Sequence, residues 1–368
     1  MRFLHTADLH IGKRVLEYAM LEDARVILDE ILEIAKAEQV DGVLIAGDVY
    51  DRTVPPVEAV NLFSRFLTAL AKLHISVFAV AGNHDSPERL GFCGEILNEN
   101  GIHLAGECHG TPKTVLLQGE ESVAVHLVPF LRASAVRALS AETSDTPADA
   151  MRSVLSQVNL SVADRHILLT HAFVPGGITS ESEINPVGTA EAIPADVFSG
   201  FDYVALGHLH APQTVAHGVR YAGSPLKYSF SEKDHRKSVT LVDVEPGKPV
   251  TYREIPLHPL RDMREIKGPL AELLTGEYSM DYIRAVVTDE DVPPDARITL
   301  QTVYPNLLRF AIENRRTVFE EDVTPADCVE NRDPLSLFAE FYEKQTGQLP
   351  DETRLALMKR LLCGEVSE

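Results

Sequence analysis

The sequence is poor in cysteine and has no long apolar segment. Its four cysteines, among 368 residues, are widely spaced and form no CxxC pair. This pattern argues against a disulfide framework or a cysteine-based zinc site, and it indicates reduced, mostly buried thiols. No window approaches the ~18 consecutive apolar residues that a membrane span requires. The N-terminal residues lead directly into a predicted strand instead of a signal peptide. These absences predict a cytoplasmic protein that does not enter a membrane.

Basic residues are scarce relative to acidic ones. The sequence has 34 Lys and Arg residues and 55 Asp and Glu residues, which gives a formal net charge of -21. A nucleic-acid partner normally requires a basic face, so this charge is the main argument against a DNA substrate. Bound divalent cations would invert the local field, and a partner subunit can supply a basic surface. The charge therefore does not exclude a nucleic-acid partner.

The N-terminal part of the chain alternates predicted strands and helices. Short apolar runs bounded by polar or glycine residues predict strands, and helical periodicity or a proline pair at the first turn predicts helices. The predicted strands are Arg2–Thr6, Val43–Ala46 and Val77–Ala81, and helices are predicted at 21–35, at Val57–Leu73 and at about Leu90–Asn98. This alternation predicts an α/β fold with a largely parallel sheet.

Further strands complete the first predicted domain. They are a hairpin of Val115–Leu117 with Val123–Val128, followed by Ile167–Thr170, Tyr203–Leu206, Tyr221–Pro225 and Ser238–Val244. Segment Glu245–Pro259 contains proline and glycine and is typical of a domain exit. Beyond it, a helix near Leu270–Leu274 and strands at Ile283–Val287 and Ile298–Val303 predict a small α/β capping domain.

The C-terminal part changes to a helical pattern. Two short amphipathic helices follow Pro334 and are separated by Gly347–Pro350. They have little of their own chain to bury against, which favours a docking element for a partner. A plain contribution to the core is the alternative. The predicted domains are therefore residues 1–255, 256–330 and 331–368.

Five predicted strands each end in a polar group that can bind a metal ion. The groups are Asp8 and His10, Asp48, Asn83 and His84, His171, and finally His208 and His210. A single ending of this kind is equally well explained as a turn with a solvated histidine. Five of them would converge at one edge if the strands share a sheet orientation, since ligands sit at the carboxyl ends of such strands.

The mixture of donors indicates which ions such a site would take. Carboxylate, amide oxygen and imidazole together suit divalent Mn, Fe or Zn, and not a thiolate site. The number of donors is sufficient for two ions with one aspartate between them. Paired ions ~3.5–4 Å apart are the recurring solution for in-line phosphoryl displacement.

The order of these motifs resembles a known family. D-x-H, G-D-x-x-D, G-N-H-D, a single His and G-H-x-H are similar to the five motifs of calcineurin-type metallophosphoesterases. The runs TADLHIGK, VDGVLIAGDVYD, GNHDS, ALGHLH and YAGSPLKYSFSE resemble one branch, the SbcD-type nuclease subunits, bacterial counterparts of the Mre nucleases. The detailed match covers the N-terminal domain, and the rest agrees in layout. The resemblance implies a two-sheet metallophosphoesterase sandwich flanked by helices.

The resemblance also implies a role for each strand-end residue. It assigns one ion to Asp8, His10 and His210, the other to Asn83, His171 and His208, and a bridging position to Asp48. His84 matches the family's catalytic histidine, which contacts the phosphate and assists the leaving oxygen without binding metal. The implied reaction is hydrolysis of DNA phosphodiester bonds by hydroxide that two divalent ions, most often Mn²⁺, activate.

The same resemblance implies substrates and partners. Family members act as 3'-5' exonucleases on duplex ends and as endonucleases on single strands and hairpins, in DNA repair, recombination and replication. They work as homodimers bound to an SbcC-type ATPase with long coiled coils. Residues 334–368 fit the ATPase-docking tail. Helix 57–73 is apolar nearly all round, so its second face is a candidate dimer surface, although burial under the following loop is the alternative.

Several residues outside the predicted metal ligands are candidates for supporting roles or for contact with DNA. Asp51 and Asp85 are candidates for orienting histidines as acceptors behind the ligands, with capping or turn roles as the alternative. The densest basic cluster is the best candidate for contact with the DNA backbone, although a solvated hairpin face is the more usual meaning; it contains Lys227, Lys233, His235, Arg236 and Lys237. We assign no role to the acidic loop Gly176–Glu183.

Two other functions are compatible with the motifs. One is a stand-alone metallophosphoesterase for nucleotides or small phosphodiesters, against which the C-terminal extension argues. The other is a scaffold that keeps the fold but only binds partners, which the complete set of ligands disfavours. The sequence therefore predicts a metal-dependent DNA nuclease subunit.

Overall fold

The computed structural model describes four continuous stretches of the chain and some separate residues near its C-terminus. The stretches are residues 1–16, 18–131, 146–183 and 192–314, and the separate residues lie between 335 and 359. The chain divides into two compact units, one of Met1–Val286 with Pro294–Ala311 and the other of Val287–Pro293 with Ile312–Glu368. The boundary predicted at residue 330 and most of the predicted tail lie outside the described residues.

The described elements follow the alternation expected from the sequence. The strands are β1 (Arg2–Thr6), β2 (Arg14–Val15), β3 (Tyr18–Ala19), β4 (Gly42–Ile45), β5 (Ser76–Val80), β6 (Ile102–Ala105), β7 (Lys113–Leu117), β8 (Val123–Val128), β9 (Arg165–His171), β10 (Tyr203–Gly207), β11 (Gln213–Ala216), β12 (Val219–Tyr221), β13 (Ser238–Asp243), β14 (Thr251–Pro256), β15 (Met263–Gly268), β16 (Tyr282–Val287) and β17 (Leu307–Ile312). The helices are α1 (Leu21–Ala37), α2 (Val57–Lys72), α3 (Pro87–Leu90), α4 (Gly94–Asn98), α5 (Pro147–Leu155), α6 (Leu270–Leu273) and α7 (Ala296–Gln301), with 3-10 turns at Ala195–Phe198 and Phe230–Glu232.

Two six-stranded sheets form the body of the first unit. The first has the order β14-β13-β1-β4-β5-β6. Strands β1, β4, β5 and β6 are parallel, whereas β13 is antiparallel to β1 and β14 is antiparallel to β13. The second has the order β11-β12-β10-β9-β8-β7, with four parallel strands between antiparallel β11 and β7. The predicted two-sheet α/β sandwich is confirmed.

The core explains why the strands are apolar on both faces. One buried cluster lies between the two sheets and includes Phe3 and Phe78 from the first and Leu169 and Tyr203 from the second. The alternate residues of the first sheet pack under α1 and α2, while those of the second pack with α5. Strands covered on both faces lose the period-two polar pattern, and each fully buried large apolar side chain contributes about 1.5–3 kcal/mol.

The helix predicted at Val57–Leu73 is confirmed as α2, with one buried apolar face and two exposed valines on the other side. Its inner face, with Leu62, Phe63 and Phe66 among others, is buried in the core. Val57 and Val60 on the other side are 70% and 42% exposed. These two valines are therefore not covered by the loop that follows.

The segment after residue 256 contains a third sheet, with the order β15-β16-β17. The predicted helix near Leu270 is confirmed as α6, but the strand predicted at Ile298–Val303 is wrong, because helix α7 occupies Ala296–Gln301. In this helix Leu300 is buried and Ile298 is 68% exposed. A short run with β-branched residues does not distinguish strand from helix by periodicity alone.

Four smaller predictions also need correction. The predicted exit segment Glu245–Pro259 contains β14, which pairs with β13 along its whole length. The strand predicted at Tyr221–Pro225 ends at Tyr221, and two short helices replace the single helix predicted at 90–98. Cys93 is exposed and is not the buried thiol expected from the sequence. Among the described residues, no helix has the length and apolar character to cross a membrane.

Candidate metal centre

The strand-end residues meet where the two sheets come together. The His171 imidazole Nδ1 lies 2.8 Å from the carbonyl oxygen of Ala46, which follows β4 in the other sheet. The backbone N–H of His208 donates to the Asp8 carboxylate at 3.0 Å. Three groups have ligand atoms within 4.8 Å of one another: Asp8, His10 and His210; Asp8, Asp48 and His171; and His10, Asp48 and His84.

Four of the predicted metal ligands adopt an unusual backbone conformation. The φ angles are 53° for Asp8, 40° for His10, 49° for Asp48 and 114° for His208. Residues other than glycine rarely have positive φ, and each such position costs about 1–3 kcal/mol and persists where the surrounding structure enforces it. The strand ends therefore turn sharply, and four of the eight non-glycine residues with positive φ in the described part of the chain lie at the site.

Glycines next to the ligands allow the loops to approach closely. A Cβ atom on Gly82 would lie 2.1 Å from the Asp48 Oδ1. A Cβ atom on Gly47, whose φ is +86°, would lie 2.3 Å from the His171 Nδ1. Only glycine fits at such separations, which explains why a glycine precedes Asp48 and Asn83 in the motifs.

Asn83, His171 and His208 form one side of the centre. Because a carbonyl oxygen only accepts, the His171 Nδ1 donates to Ala46 and its Nε2 carries the lone pair. The His171 Nε2 lies 2.9 Å from the Asn83 Oδ1 and 3.3 Å from the His208 Nδ1. The His208 Nδ1 also lies 3.3 Å from the Asn83 Oδ1. An amide oxygen and two imidazole nitrogens thus converge as the ligands of a cation do.

His10 provides the clearest test of whether the residues fit a metal ion. Its side chain is buried, and neither ring nitrogen has a hydrogen-bond partner in the described part of the chain. The carboxylate oxygens closest to these nitrogens belong to Asp48 and Asp51, each 3.7 Å away. Buried polar groups normally have a hydrogen-bond partner. A buried imidazole whose two nitrogens lack one, and that lies among carboxylates, is therefore suited to bind a metal ion.

The electrostatics of the buried groups agree with this interpretation. Burial, and then repulsion from Asp48, raises the pKa of Asp8 well above its usual value. Burial lowers the pKa of His10 and His171, and it lowers the pKa of His208 to about 3. The imidazoles are therefore neutral at neutral pH and can donate lone pairs, and a divalent cation would relieve the repulsion between the two carboxylates.

His84 lies at the border of this cluster. Its Nδ1 donates to the carbonyl oxygen of Asp51 at 2.9 Å, and its ring meets the ring of His10 edge to face at 4.8 Å between centroids. The side chain is only partly buried. Its backbone N–H donates to the Asp48 Oδ1 at 2.9 Å. His84 is thus anchored at one nitrogen and stands beside the predicted bridging aspartate.

The two predicted supporting aspartates have different surroundings. Asp51 accepts from the Lys13 ammonium at 2.8 Å and lies 3.7 Å from the His10 ring. Asp85 accepts backbone N–H groups of Val49, Tyr50 and Gly82 at 2.9–3.1 Å, which ties two ligand-bearing loops together. Burial, and then Asp48, raises the pKa of Asp85 to about 7. These contacts fit the turn role that was the alternative for Asp85.

The surroundings of His210 contain residues that the sequence did not identify. Ser182 and Glu232 contact its Nδ1 at 2.9 and 3.1 Å, and Glu183 accepts its backbone N–H at 2.7 Å. The acidic loop to which we assigned no role therefore reaches the centre through Ser182 and Glu183. Tyr228 packs its ring edge to face against His210. No local pattern marks these residues, since they are 18 to 28 positions from His210.

The residues of the predicted DNA-contact cluster differ in how far they are buried. Lys237 is 5% exposed and donates three hydrogen bonds, to Glu232, Ser224 and the His210 carbonyl oxygen, so its placement does not fit contact with DNA. Lys227 pairs with Asp262 at 2.9 Å. Lys233 is partly exposed and lies 3.3 Å from Asp234. Arg236 is exposed. This part of the prediction remains a proposal for Lys227, Lys233 and Arg236 alone.

Comparison with protein families accounts for both parts of the chain. Residues 1–212 match the model of the calcineurin-like phosphoesterases. Residues 259–346 match the SbcD_C model, described as the Type 5 capsule protein repressor C-terminal domain.

Curated relatives extend over the full length. The SbcD subunit of nuclease SbcCD from Bacillus subtilis (strain 168) is 34% identical, over 100% of this chain and 99% of the relative. The protein of the same name from Staphylococcus epidermidis (strain ATCC 12228 / FDA PCI 1200) is 30% identical over 98% of both chains. Among solved structures, the calcineurin-like phosphoesterase YfkN from Bacillus subtilis aligns with 70% of this chain and 88% of its own, at 11% identity and a TM-score of 0.39. Because that score is low, the assignment rests on the sequence matches. The chain belongs to the calcineurin-like phosphoesterases and, among them, to the family of the SbcD nuclease subunits.

Proposed function

We propose that this chain is the nuclease subunit of an SbcCD-type complex and hydrolyses DNA phosphodiester bonds with two divalent metal ions. The observation that carries the proposal is the buried cluster around His10, whose ring nitrogens face carboxylates without a hydrogen-bond partner in the described residues. Full-length relatives named as nuclease subunits supply the substrate class. The mixture of carboxylate, amide oxygen and imidazole donors suits divalent Mn, Fe or Zn, and manganese is the proposed ion because the resemblance to the family implies it.

The ligands would be divided between two ions. Asp8, His10 and His210 would hold one ion, and Asn83, His171 and His208 the other, with Asp48 between them. Once bound, the two ions would stabilise charge on the phosphate and lower the pKa of an attacking water molecule. The chain's own contribution is to hold these side chains in neutral or anionic form, which burial of the histidines favours.

His84 has the geometry of a group that acts on the phosphate. Its Nδ1 bond to the Asp51 carbonyl oxygen fixes the ring and leaves Nε2 as the reactive nitrogen. In this role the doubly protonated ring would donate from Nε2 to a phosphate oxygen and pass that proton to the leaving 3' or 5' oxygen, which returns the ring to its neutral form with the proton on Nδ1. A positioned general acid of this kind contributes about 10²–10⁴-fold to the rate.

The wider assembly belongs to the same proposal. We propose 3'-5' exonuclease action on duplex ends and endonuclease action on hairpins, in the cytoplasm, with an SbcC-type ATPase docked through residues 334–368. The ATPase would supply part of the basic surface that a chain of net charge -21 lacks. A homodimer would form through the exposed side of α2. A stand-alone phosphoesterase and a non-catalytic scaffold are not favoured, since the relatives match over their full length as nuclease subunits.

One set of assays tests the proposal. Purified protein with Mn²⁺ is incubated with linear duplex DNA and, separately, with a small nucleotide diester, alongside a His84→Ala variant. We expect metal-dependent cleavage of DNA that falls at least about 10²-fold in the variant. The matched control is His217→Ala, an exposed histidine, which should cleave as the natural protein does. Turnover of the small diester alone would contradict the proposal, and metal binding without any turnover would favour a scaffold.

A further inference from the structure

His210 differs from its neighbouring imidazoles in the side chains behind it. Its Nδ1 lies 3.1 Å from the Glu232 Oε1 and 2.9 Å from the Ser182 hydroxyl. Glu232 belongs to the 3-10 turn Phe230–Glu232 and is fully buried. A short hydrogen bond also joins the Ser182 hydroxyl to the same carboxylate oxygen. A buried carboxylate therefore faces the Nδ1 of a predicted ligand, and Nε2 would be the nitrogen available to an ion.

Lys237 holds this carboxylate in place. Its ammonium donates to the Glu232 Oε2 at 2.6 Å, to the Ser224 hydroxyl at 2.7 Å and to the His210 carbonyl oxygen at 3.0 Å. These three bonds use all three donors of the ammonium group. One carboxylate oxygen of Glu232 is thus occupied by Lys237, and the other is left for His210 and Ser182.

We infer that Glu232, fixed by Lys237, is a positioning residue that sets the tautomer and the ring orientation of His210. An ionised carboxylate only accepts hydrogen bonds, so the His210 Nδ1 carries the proton and Nε2 carries the lone pair for the ion. Partners of this kind behind a metal ligand raise its basicity, and their loss typically costs 10–100-fold in metal affinity.

The other imidazoles show why this position is informative. His171 uses the backbone carbonyl of Ala46 as its acceptor, and no substitution of Ala46 removes that group. His210 instead depends on a side chain, so the contribution of its acceptor can be measured. Because His210 and His171 are assigned to different ions, we expect loss of Glu232 to weaken one ion only.

The test compares Mn²⁺ binding to the full-length chain and to the double variant Glu232→Leu with Lys237→Met. Replacing both members of a buried pair by apolar groups of similar size is often neutral for stability. We expect the natural protein to bind two ions. In equilibrium dialysis, the double variant should bind one ion with unchanged affinity and the second about 10–100-fold more weakly. In electron paramagnetic resonance, the signal of a coupled pair of ions should be replaced by that of single ions.

Glu181→Gln is the matched control, because Glu181 is an exposed acidic residue of the same loop and its carboxylate accepts from the Ser229 hydroxyl, not from His210. Its two ions should bind as in the natural protein. Two ions with unchanged affinity in the double variant would overturn the inference. The inference rests on the proposed metal centre, and a natural protein that binds no Mn²⁺ would contradict that proposal instead.

A second measurement does not depend on the folding of the double variant. In metal-free natural protein labelled with ¹⁵N-histidine and held at alkaline pH, where the tautomer of a neutral ring is observed, the His210 resonances, assigned by their loss in His210→Gln, should show the proton on Nδ1 and the lone pair on Nε2. The opposite tautomer would overturn the inference. A structural ion pair without a positioning role would leave both the tautomer and the metal affinity unchanged when the pair is removed.

Discussion

Gly82 shows how little space surrounds the proposed bridging aspartate. A Cβ atom at this position would lie 2.1 Å from the Oδ1 and 2.4 Å from the backbone nitrogen of Asp48. The backbone nitrogen belongs to a loop that Asp85 also fixes, through its bonds to Val49 and Tyr50. Relief of the clash would therefore require a shift of the loop that carries the ligand.

We expect Gly82→Ala to destabilise the fold by about 1–3 kcal/mol or more and to weaken Mn²⁺ binding, as measured by urea denaturation and equilibrium dialysis. Gly94→Ala is the control, since nothing lies within 4 Å of the added Cβ atom and alanine is the better residue in helix α4. The control should be as stable as the natural protein or slightly more stable. Equal effects of the two substitutions would contradict the close approach.

At the scale of single residues, the sequence predicted the groups that follow a strand directly. Asp8, Asp48 and His171 belong to local patterns of an apolar run and a polar ending, and such patterns can be read in a single sequence. Glu232 and Ser182 reach His210 from 22 and 28 positions away. Their position depends on tertiary structure, so no local signal identifies them, and the same holds for the burial of Lys237.

At the scale of elements, α2 has the most testable surface. Val57 and Val60 are exposed although the helix buries a full apolar face on its other side. Exposed apolar residues next to each other on one helix favour an interface, and a two-fold dimer would use the same patch on both copies.

Val57→Glu combined with Val60→Glu should convert the proposed dimer into a monomer, because two carboxylates per copy would face each other in a low-dielectric interface. Size-exclusion chromatography with light scattering measures the mass. Ile298→Glu, at another exposed apolar position on a helix, should leave the mass unchanged. A dimer that persists in the double variant, or a natural protein that is monomeric, would remove this interface.

The elements that the sequence predicted poorly share a physical cause. Ile298–Val303 is apolar and β-branched enough for a strand, yet packing of Leu300 selects helix α7. Strand β14 is mostly exposed along its length, so it has no apolar alternation. It forms the edge of the first sheet because it pairs with β13. Tertiary pairing decides such segments, whereas long periodic elements such as α1 and α2 were predicted nearly to the residue.

At the scale of the whole molecule, buried histidines distant from the metal centre predict how stability depends on pH. His126 is 1% exposed, and its ring bonds to His166 at 3.0 Å and Thr114 at 2.9 Å. Burial, and then His166, lowers the pKa of His126 from 6.5 to about 4. Between these two values the unfolded chain binds a proton that the folded chain does not, so stability falls as the pH decreases from 6.5 to about 4.

His126→Gln should reduce this slope by up to about 1.4 kcal/mol per pH unit within that window. Urea denaturation of the metal-free protein at several pH values measures it. The exposed His217→Gln should keep the slope of the natural protein. Parallel stability profiles for the natural protein and His126→Gln would contradict the lowered pKa.

The central claim is that the carboxyl ends of β1, β4, β5, β9 and β10 build a centre for two metal ions. Anomalous diffraction at the manganese edge, from crystals of the full chain grown with Mn²⁺, tests it most directly. We predict two peaks about 3.5–4 Å apart, both in contact with Asp48. One peak should lie against His10 and His210, and the other against His171 and His208. A single peak, or peaks away from these side chains, would contradict the account.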